Sequence, residues 1–202
     1  MSNKNIHYRL PLKLINSYTW AKLIKPARAI LPVLGVHMDL KSKACWPKVE
    51  TIAELAGYTK LKSIRFGMKN LIKNKLIVRF KEGRHHIYIL TDLALWHPKT
   101  SYLPIYKEAM IINRKWADLL PCEKSLYPVF GNKGTIKNPE IIDTEIHAVG
   151  HINKINKYIK WAGISRRSWN TACAGLEHKE LVIFYEEEDS CRYEVYVPQY
   201  LE

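Results

Sequence analysis

The sequence predicts an α+β fold, mainly helical, made of two copies of one unit in tandem. Three observations carry that expectation. A two-helix motif with a glycine turn lies between Trp46 and Leu76, a hairpin pattern follows it directly, and both return about a hundred residues later. The units are expected over residues 1–95 and 96–202.

In the first unit, residues 1–5 look disordered and Tyr8 to Leu12 is an extended apolar segment. Trp20-Ala21-Lys22-Leu23 precedes a helix from about Pro26 to Met38. Pro26 suits a first helical turn, and Pro32 should kink the helix. The motif itself starts with a helix from Val49 to Ala56, apolar at Ile52, Ala53, Leu55 and Ala56. Gly57 stops it, because glycine takes positive φ without steric cost. Thr59 or a neighbour caps a second helix, Leu61 to Asn74. Leu61, Ile64, Met68, Leu71 and Ile72 follow the spacing of a helix packed on one side. Lys60, Lys62, Ser63, Arg65, Phe66, Lys69 and Lys73 fall on the other. Leu76 to Phe80 and His85 to Thr91 read as strands around a turn at Lys81 to Arg84.

The second unit is read from shared spacing. Leu103-Pro104-Ile105 echoes Leu10-Pro11-Leu12, Trp116-Ala117 echoes Trp20-Ala21, and Tyr127-Pro128-Val129 echoes Leu31-Pro32-Val33. Ile155 to Ala162 with Gly163 matches the first helix and its turn. Ser168 to Leu181 matches Ser63 to Leu76, placing Trp169 in the core in register with Ile64. Leu181 to Tyr185 and Cys191 to Val197 form the second hairpin. The extra residues enter between Phe130 and Asn153, where Gly131-Asn132-Lys133-Gly134 signals a loop and a lead-in helix starts near Asp143. Pro98 and Pro104 place the joint between units at residues 92–112.

Composition sets the class. The 202 residues are 47% hydrophobic and 25% charged, an ordinary globular balance. No apolar run is long enough to span a membrane, and the N-terminus lacks the apolar core of a signal peptide, so a cytoplasmic protein is expected. Cys45, Cys122, Cys173 and Cys191 form no CxxC pair and are expected to be reduced. The net charge of +13 is uneven: residues 1–100 hold 19 Lys/Arg against 5 Asp/Glu, and the rest 13 against 14. A compact basic half suggests a polyanionic partner, nucleic acid first.

Helix-turn-helix followed by a basic hairpin resembles the winged-helix family of DNA-binding domains. Trp46-Pro47, the run Ile52-Ala53-Glu54-Leu55-Ala56-Gly57 and Leu76 before the hairpin are similar to modules in plasmid and phage replication initiators and bacterial transcriptional regulators, over residues 19–91. The resemblance implies double-stranded DNA as partner. It also implies a replication or transcription role, bound to the nucleoid. In the first unit the exposed positions Lys60, Lys62, Ser63, Arg65, Phe66 and Lys69 would enter the major groove, where Lys and Arg donate to guanine edges. Arg79, Lys81, Arg84, His85 and His86 on the hairpin would hold flanking phosphate or reach the minor groove, and Lys41 and Lys48, before the Val49 helix, would contact phosphate. In the second unit Arg166, Arg167, Ser168, Asn170 and Thr171 offer a reading surface. Its hairpin tip, Glu186-Glu187-Glu188-Asp189, repels phosphate and is expected to point away from DNA or toward a protein. A homodimer or a replication or transcription protein could engage that half, and an adaptor or dimerisation module with non-specific DNA affinity is the alternative.

No enzyme signature competes. His147 and His151 are four apart, with Asp143 the one further candidate ligand, and the HExxH glutamate is missing. Gly131 to Thr135 is not GxxxxGK[ST]. No aromatic-rich sheet motif of the RNA-binding kind appears. No cofactor or metal is expected.

Overall fold

The structure, a computed structural model, describes residues 7–83, 85–98, 100–133, 135–136, 146–188 and 190–198. The first half runs β1 (His7–Pro11), α1 (Lys13–Asn16), α2 (Thr19–Lys22), α3 (Lys25–His37), β2 (Ala44–Cys45), α4 (Val49–Ala56), α5 (Leu61–Lys73), β3 (Ile77–Glu82) and β4 (His85–Leu90). The second runs β5 (Tyr102–Tyr106), a π-helical turn (Lys107–Ile112), α6 (Lys115–Asp118), α7 (Pro121–Lys133), β6 (Thr135–Ile136), β7 (Ile146–Ile152), α8 (Ile155–Ala162), α9 (Arg166–His178), β8 (Val182–Glu186) and β9 (Cys191–Tyr196). The fold is mixed α and β with small antiparallel sheets, ordered β1–β5, β2–β4–β3 and β6–β7–β9–β8. No helix among the described residues is long and apolar enough to cross a membrane.

The halves exchange their opening segments. β1 pairs with β5 along its length, Tyr8 opposite Ile105 and Leu10 opposite Leu103. α2 packs on α8, and α6 packs on α4. The pairing is reciprocal. The Trp20 indole N–H donates to the Ser125 carbonyl at 2.9 Å, and the Trp116 indole N–H donates to the Ala29 carbonyl at 2.9 Å. Trp116 follows Trp20, and Ser125 follows Ala29, by the same shift along the chain. When element A of one half meets B of the other and the reverse also holds, the halves are related by a two-fold rotation, as in an isologous dimer. Both indoles are fully buried. Each removes roughly 200 Å² from water, worth about 5 kcal/mol of apolar burial, and the N–H bond fixes where that ring sits.

Buried cations obey the same symmetry. Arg28, 3% exposed, donates to the Trp20 carbonyl (3.0 Å), the Ala21 carbonyl (2.8 Å) and Ser125 Oγ (2.6 Å). Its counterpart Lys124 donates to the carbonyls of Ala117 (2.9 Å) and Leu119. Both cations therefore satisfy backbone carbonyls at the end of a Trp-Ala turn, which a buried helix end requires. Burial pushes Arg28 down to about 10 and Lys124 down to about 8.

Several expectations are corrected. Gly131 to Lys133 is not loop but the last turn of α7. A Cβ on Gly131 would lie 2.8 Å from the Leu103 side chain, just as one on Gly35 would lie 2.2 Å from the Tyr8 ring. These glycines are flat spots where α7 and α3 cross the β1–β5 ribbon. The lead-in helix is absent from its described part, because Ile146–Ile152 is strand β7. Ala148, Gly150 and Ile152 face inward with period two, and Gly150 leaves room for Tyr193. Asp143 and Gly134 lie outside the described residues, as do residues 1–5. Pro104 is inside β5 opposite Arg9, tolerated because a two-stranded ribbon leaves each strand one unpaired edge. Thr59 does not cap α5. Lys60 occupies the N-cap without a side-chain bond, whereas Ser165 caps α9 by accepting from the Ser168 amide at 3.2 Å. Ile72 is 37% exposed rather than core. α3 continues through Pro32 to His37, and α7 through Pro128.

Candidate nucleic-acid interface

α5 and α9 occupy matched places on the flanks of the molecule. α5 packs on α3, α3 on α7, and α7 on α9. Each helix buries one stripe: Ile64, Gly67, Met68 and Leu71 in α5, and Trp169, Ala172 and Leu176 in α9. The glycine turns set their angle. Gly57 has φ +77° and Gly163 φ +59°, each ending the preceding helix in the left-handed region. With packed helices 8–10 Å apart, three steps put α5 and α9 at most about 24–30 Å from one another. Even the upper limit falls a few ångströms short of the roughly 34 Å between successive major-groove segments on one face of B-DNA, so reading both segments requires the duplex to bend toward the protein.

The outward face of α5 shows Lys60, Lys62, Arg65, Phe66 and Lys69, all exposed or nearly so, with Ser63 beside them. Phe66 is 52% exposed, with the Lys62 ammonium 6.0 Å from its ring centroid. It does not pack into the core. On α9, Arg166, Arg167, Asn170 and Thr171 are exposed. Ser168 is half-buried, and its hydroxyl lies 2.9 Å from Ser165 Oγ, so it is committed to the helix cap. Trp169 is buried in register with Ile64.

Arg79, Lys81 and His85 are exposed on the first hairpin and His86 is half-buried; Lys41 is exposed before α4, and Lys48 stands at its N-cap. Arg84 lies outside the described residues. The second hairpin is anionic. Glu186, Glu187 and Glu188 are exposed. A hydrogen bond from Ser190, with His151 3.2 Å away, holds the Glu187 carboxyl below its ordinary range. Asp189 lies outside the described residues. His151 is thus paired with a carboxylate on the strand β7, and no cluster of three metal-ligating side chains occurs among the described residues. The four cysteines are free.

A cleft of about 620 Å³ opens where α4 meets α6, lined by Glu50, Glu54, Tyr58, Arg114 and Asp118. Arg114 pairs with Glu54 at 3.1 Å. Three carboxylates against one guanidinium make it a poor seat for phosphate, so the cationic surface is elsewhere, on α5 and the first hairpin.

Sequence reading missed one surface. Trp46 is 63% exposed and Phe80 53% exposed, on the side of the β2–β4–β3 sheet facing away from the core. The signal is present in β3 and β4, which carry apolar residues on both alternations. Comparison with family models, curated proteins and solved structures finds no match to this chain.

Proposed function

We propose that this chain is a non-enzymatic, sequence-specific double-stranded DNA-binding protein of two winged helices, acting as a replication initiator or transcriptional regulator of bacterial or mobile-element type. What supports the reading is that each half runs a helix, one strand or two, a helix, a glycine turn, a helix and a hairpin, an order compatible with a winged helix. The observation that carries the reading is the pair of exposed polar helices, α5 and α9, on opposite flanks of an internal two-fold. A two-fold inverts direction, so the target is a pair of inverted half-sites about one helical turn apart. Because α5 presents Lys62, Arg65 and Phe66 where α9 presents Arg167, Asn170 and Thr171, the half-sites differ in sequence. Lysine and arginine favour guanine edges, and asparagine favours adenine.

The test is selection of fragmented source DNA by the purified protein at moderate salt, followed by sequencing. Enrichment of a discrete motif with two unlike, inverted halves is expected. Its placement in an origin array or at promoters then separates initiator from regulator. General, salt-sensitive retention with no motif would defeat the reading.

The acidic second hairpin favours one further reading, a protein adaptor or dimerisation role for the second half. Replacing Glu186, Glu187 and Glu188 together by Gln separates the two. If that hairpin points away from DNA, duplex affinity stays equal or rises up to about threefold, through weaker long-range repulsion. A large loss, read by fluorescence anisotropy, would mean the hairpin contributes to the DNA-bound form.

A further inference from the structure

The outer face of the β2–β4–β3 sheet carries two apolar rows. Ala44, Ile89 and Val78 are in register across the three strands. Ile87 and Phe80 are in register in the next row, and Trp46, one residue past β2, continues the alternation on the Ala44 side. The inward face is separate: Cys45, Tyr88, Leu90 and Ile77 are all buried. Outward, Trp46 is 63% exposed, Phe80 53% and Val78 42%. Two strand spacings separate Trp46 from Phe80, about 10 Å.

The matched face of the second half is chemically different. Its rows are Val149, Glu194 and Ile183, then His151, Arg192 and Tyr185. There the Arg192 guanidinium lies 4.8 Å from the Tyr185 ring centroid, Tyr185 and Tyr196 donate to Glu194, and His151 pairs with Glu187. That face satisfies itself. The first leaves the Trp46 and Phe80 rings and Val78 exposed, with Ile87 and Ile89 half-buried between the outer strands.

We propose that this face is a stacking platform for the unpaired bases of a single-stranded nucleic acid. Aromatic rings on a sheet offer flat π-faces that accept any base, and a cationic surround holds the backbone. Cations border the sheet itself: Arg79 and Lys81 alternate with Val78 and Phe80 along β3, and Lys41, Lys43 and Lys48 lie just before and after β2, all exposed. The same charge argues against a second copy docking face to face, because it would bring two such basic halves together. The platform is a different surface from α5 and α9, so it adds to the duplex-binding reading and the two can fail separately. A protein with both surfaces would hold a duplex site and capture a strand released beside it.

The experiment uses the full chain and a labelled 20-nucleotide thymidine homopolymer, which has no secondary structure of its own. Trp46→Leu with Phe80→Leu keeps apolar area but removes both ring faces. Affinity for the homopolymer is expected to fall at least tenfold, while affinity for a selected duplex changes less than twofold. Trp46→Phe with Phe80→Tyr, which keeps two rings, is expected to retain affinity within about threefold. Wild-type tryptophan emission should be quenched on saturation, and the leucine variant should lose most of that quenching. Equal homopolymer affinity in wild-type and leucine variant overturns the platform. So does a parallel fall on duplex and homopolymer, which would mark general misfolding. A drop in sedimentation mass of the free leucine variant, with homopolymer binding unchanged, would assign the face to self-association.

Discussion

Alanine at Gly57 is expected to destabilise the protein by about 2–4 kcal/mol, lowering the melting temperature by about 5–15 °C. Two costs combine. Gly57 has φ +77°, and an L-residue in that region costs about 1–2 kcal/mol. A Cβ there would also lie 2.2 Å from the backbone carbonyl oxygen of Ala117, in the other half of the molecule. That oxygen cannot move freely, because it accepts from the buried Lys124 ammonium. Gly163→Ala should behave the same way, since its Cβ would meet the Ala21 carbonyl oxygen at 2.5 Å, an acceptor of the buried Arg28. Gly83 is the internal control. It has φ +56° but nothing within 4 Å of its Cβ, so Gly83→Ala should cost only about 1 kcal/mol. Asparagine, normally accepted at helix C-termini, relieves the φ cost but not the collision, so Gly57→Asn should remain damaging. Thermal unfolding of the four variants checks this. If Gly57→Ala costs no more than Gly83→Ala, the close approach between halves is wrong.

The same glycines show what is legible in the chain and what is not. Gly57 and Gly163 are legible as helix stops because local spacing announces them. α4, α5 and the hairpins follow from periodicities of 3.6 and 2, and the second half from repeated spacing. The second role of these glycines, seating the other half's backbone, has no local signature. Nor does the exchange of β1 with β5, since strand partners far apart in sequence leave no periodic trace. Arg28 reads as one more basic residue of a basic half, yet it is buried and holds the Trp20 turn. Gly131 misleads for the reverse reason. A glycine signals a loop when read locally, but here it marks close packing against Leu103. For the candidate interface, the exposed positions of α5 are legible from helical spacing. Ser168 is not, because its use as a cap partner depends on Ser165. Trp46 reads locally as part of a motif start, and its exposure emerges only when β2 is seen beside β4.

Replacing Arg65 and Lys69 together by Ala is expected to weaken specific duplex binding by roughly 30- to 20,000-fold, the product of two base-edge interactions worth roughly 1–3 kcal/mol each. Both side chains are exposed on α5, and neither belongs to an ion pair among the described residues, so the fold should tolerate the change. Their spacing of four places them on one helical face, one turn apart, so they would meet neighbouring base pairs. Two readouts separate base reading from simple charge removal. If the residues read bases, affinity for a scrambled duplex should fall far less than affinity for the selected site. The slope of log affinity against log salt should then change little. If they neutralise phosphate instead, affinity for both duplexes should fall alike, and the slope should become shallower by about 0.9 for each phosphate no longer neutralised. Lys62→Ala serves as a single-charge reference, since it removes one cation from the same exposed face of α5. Unchanged affinity in the double variant would remove α5 from the interface. The case for duplex recognition would then rest on α9 and its Arg167 and Asn170.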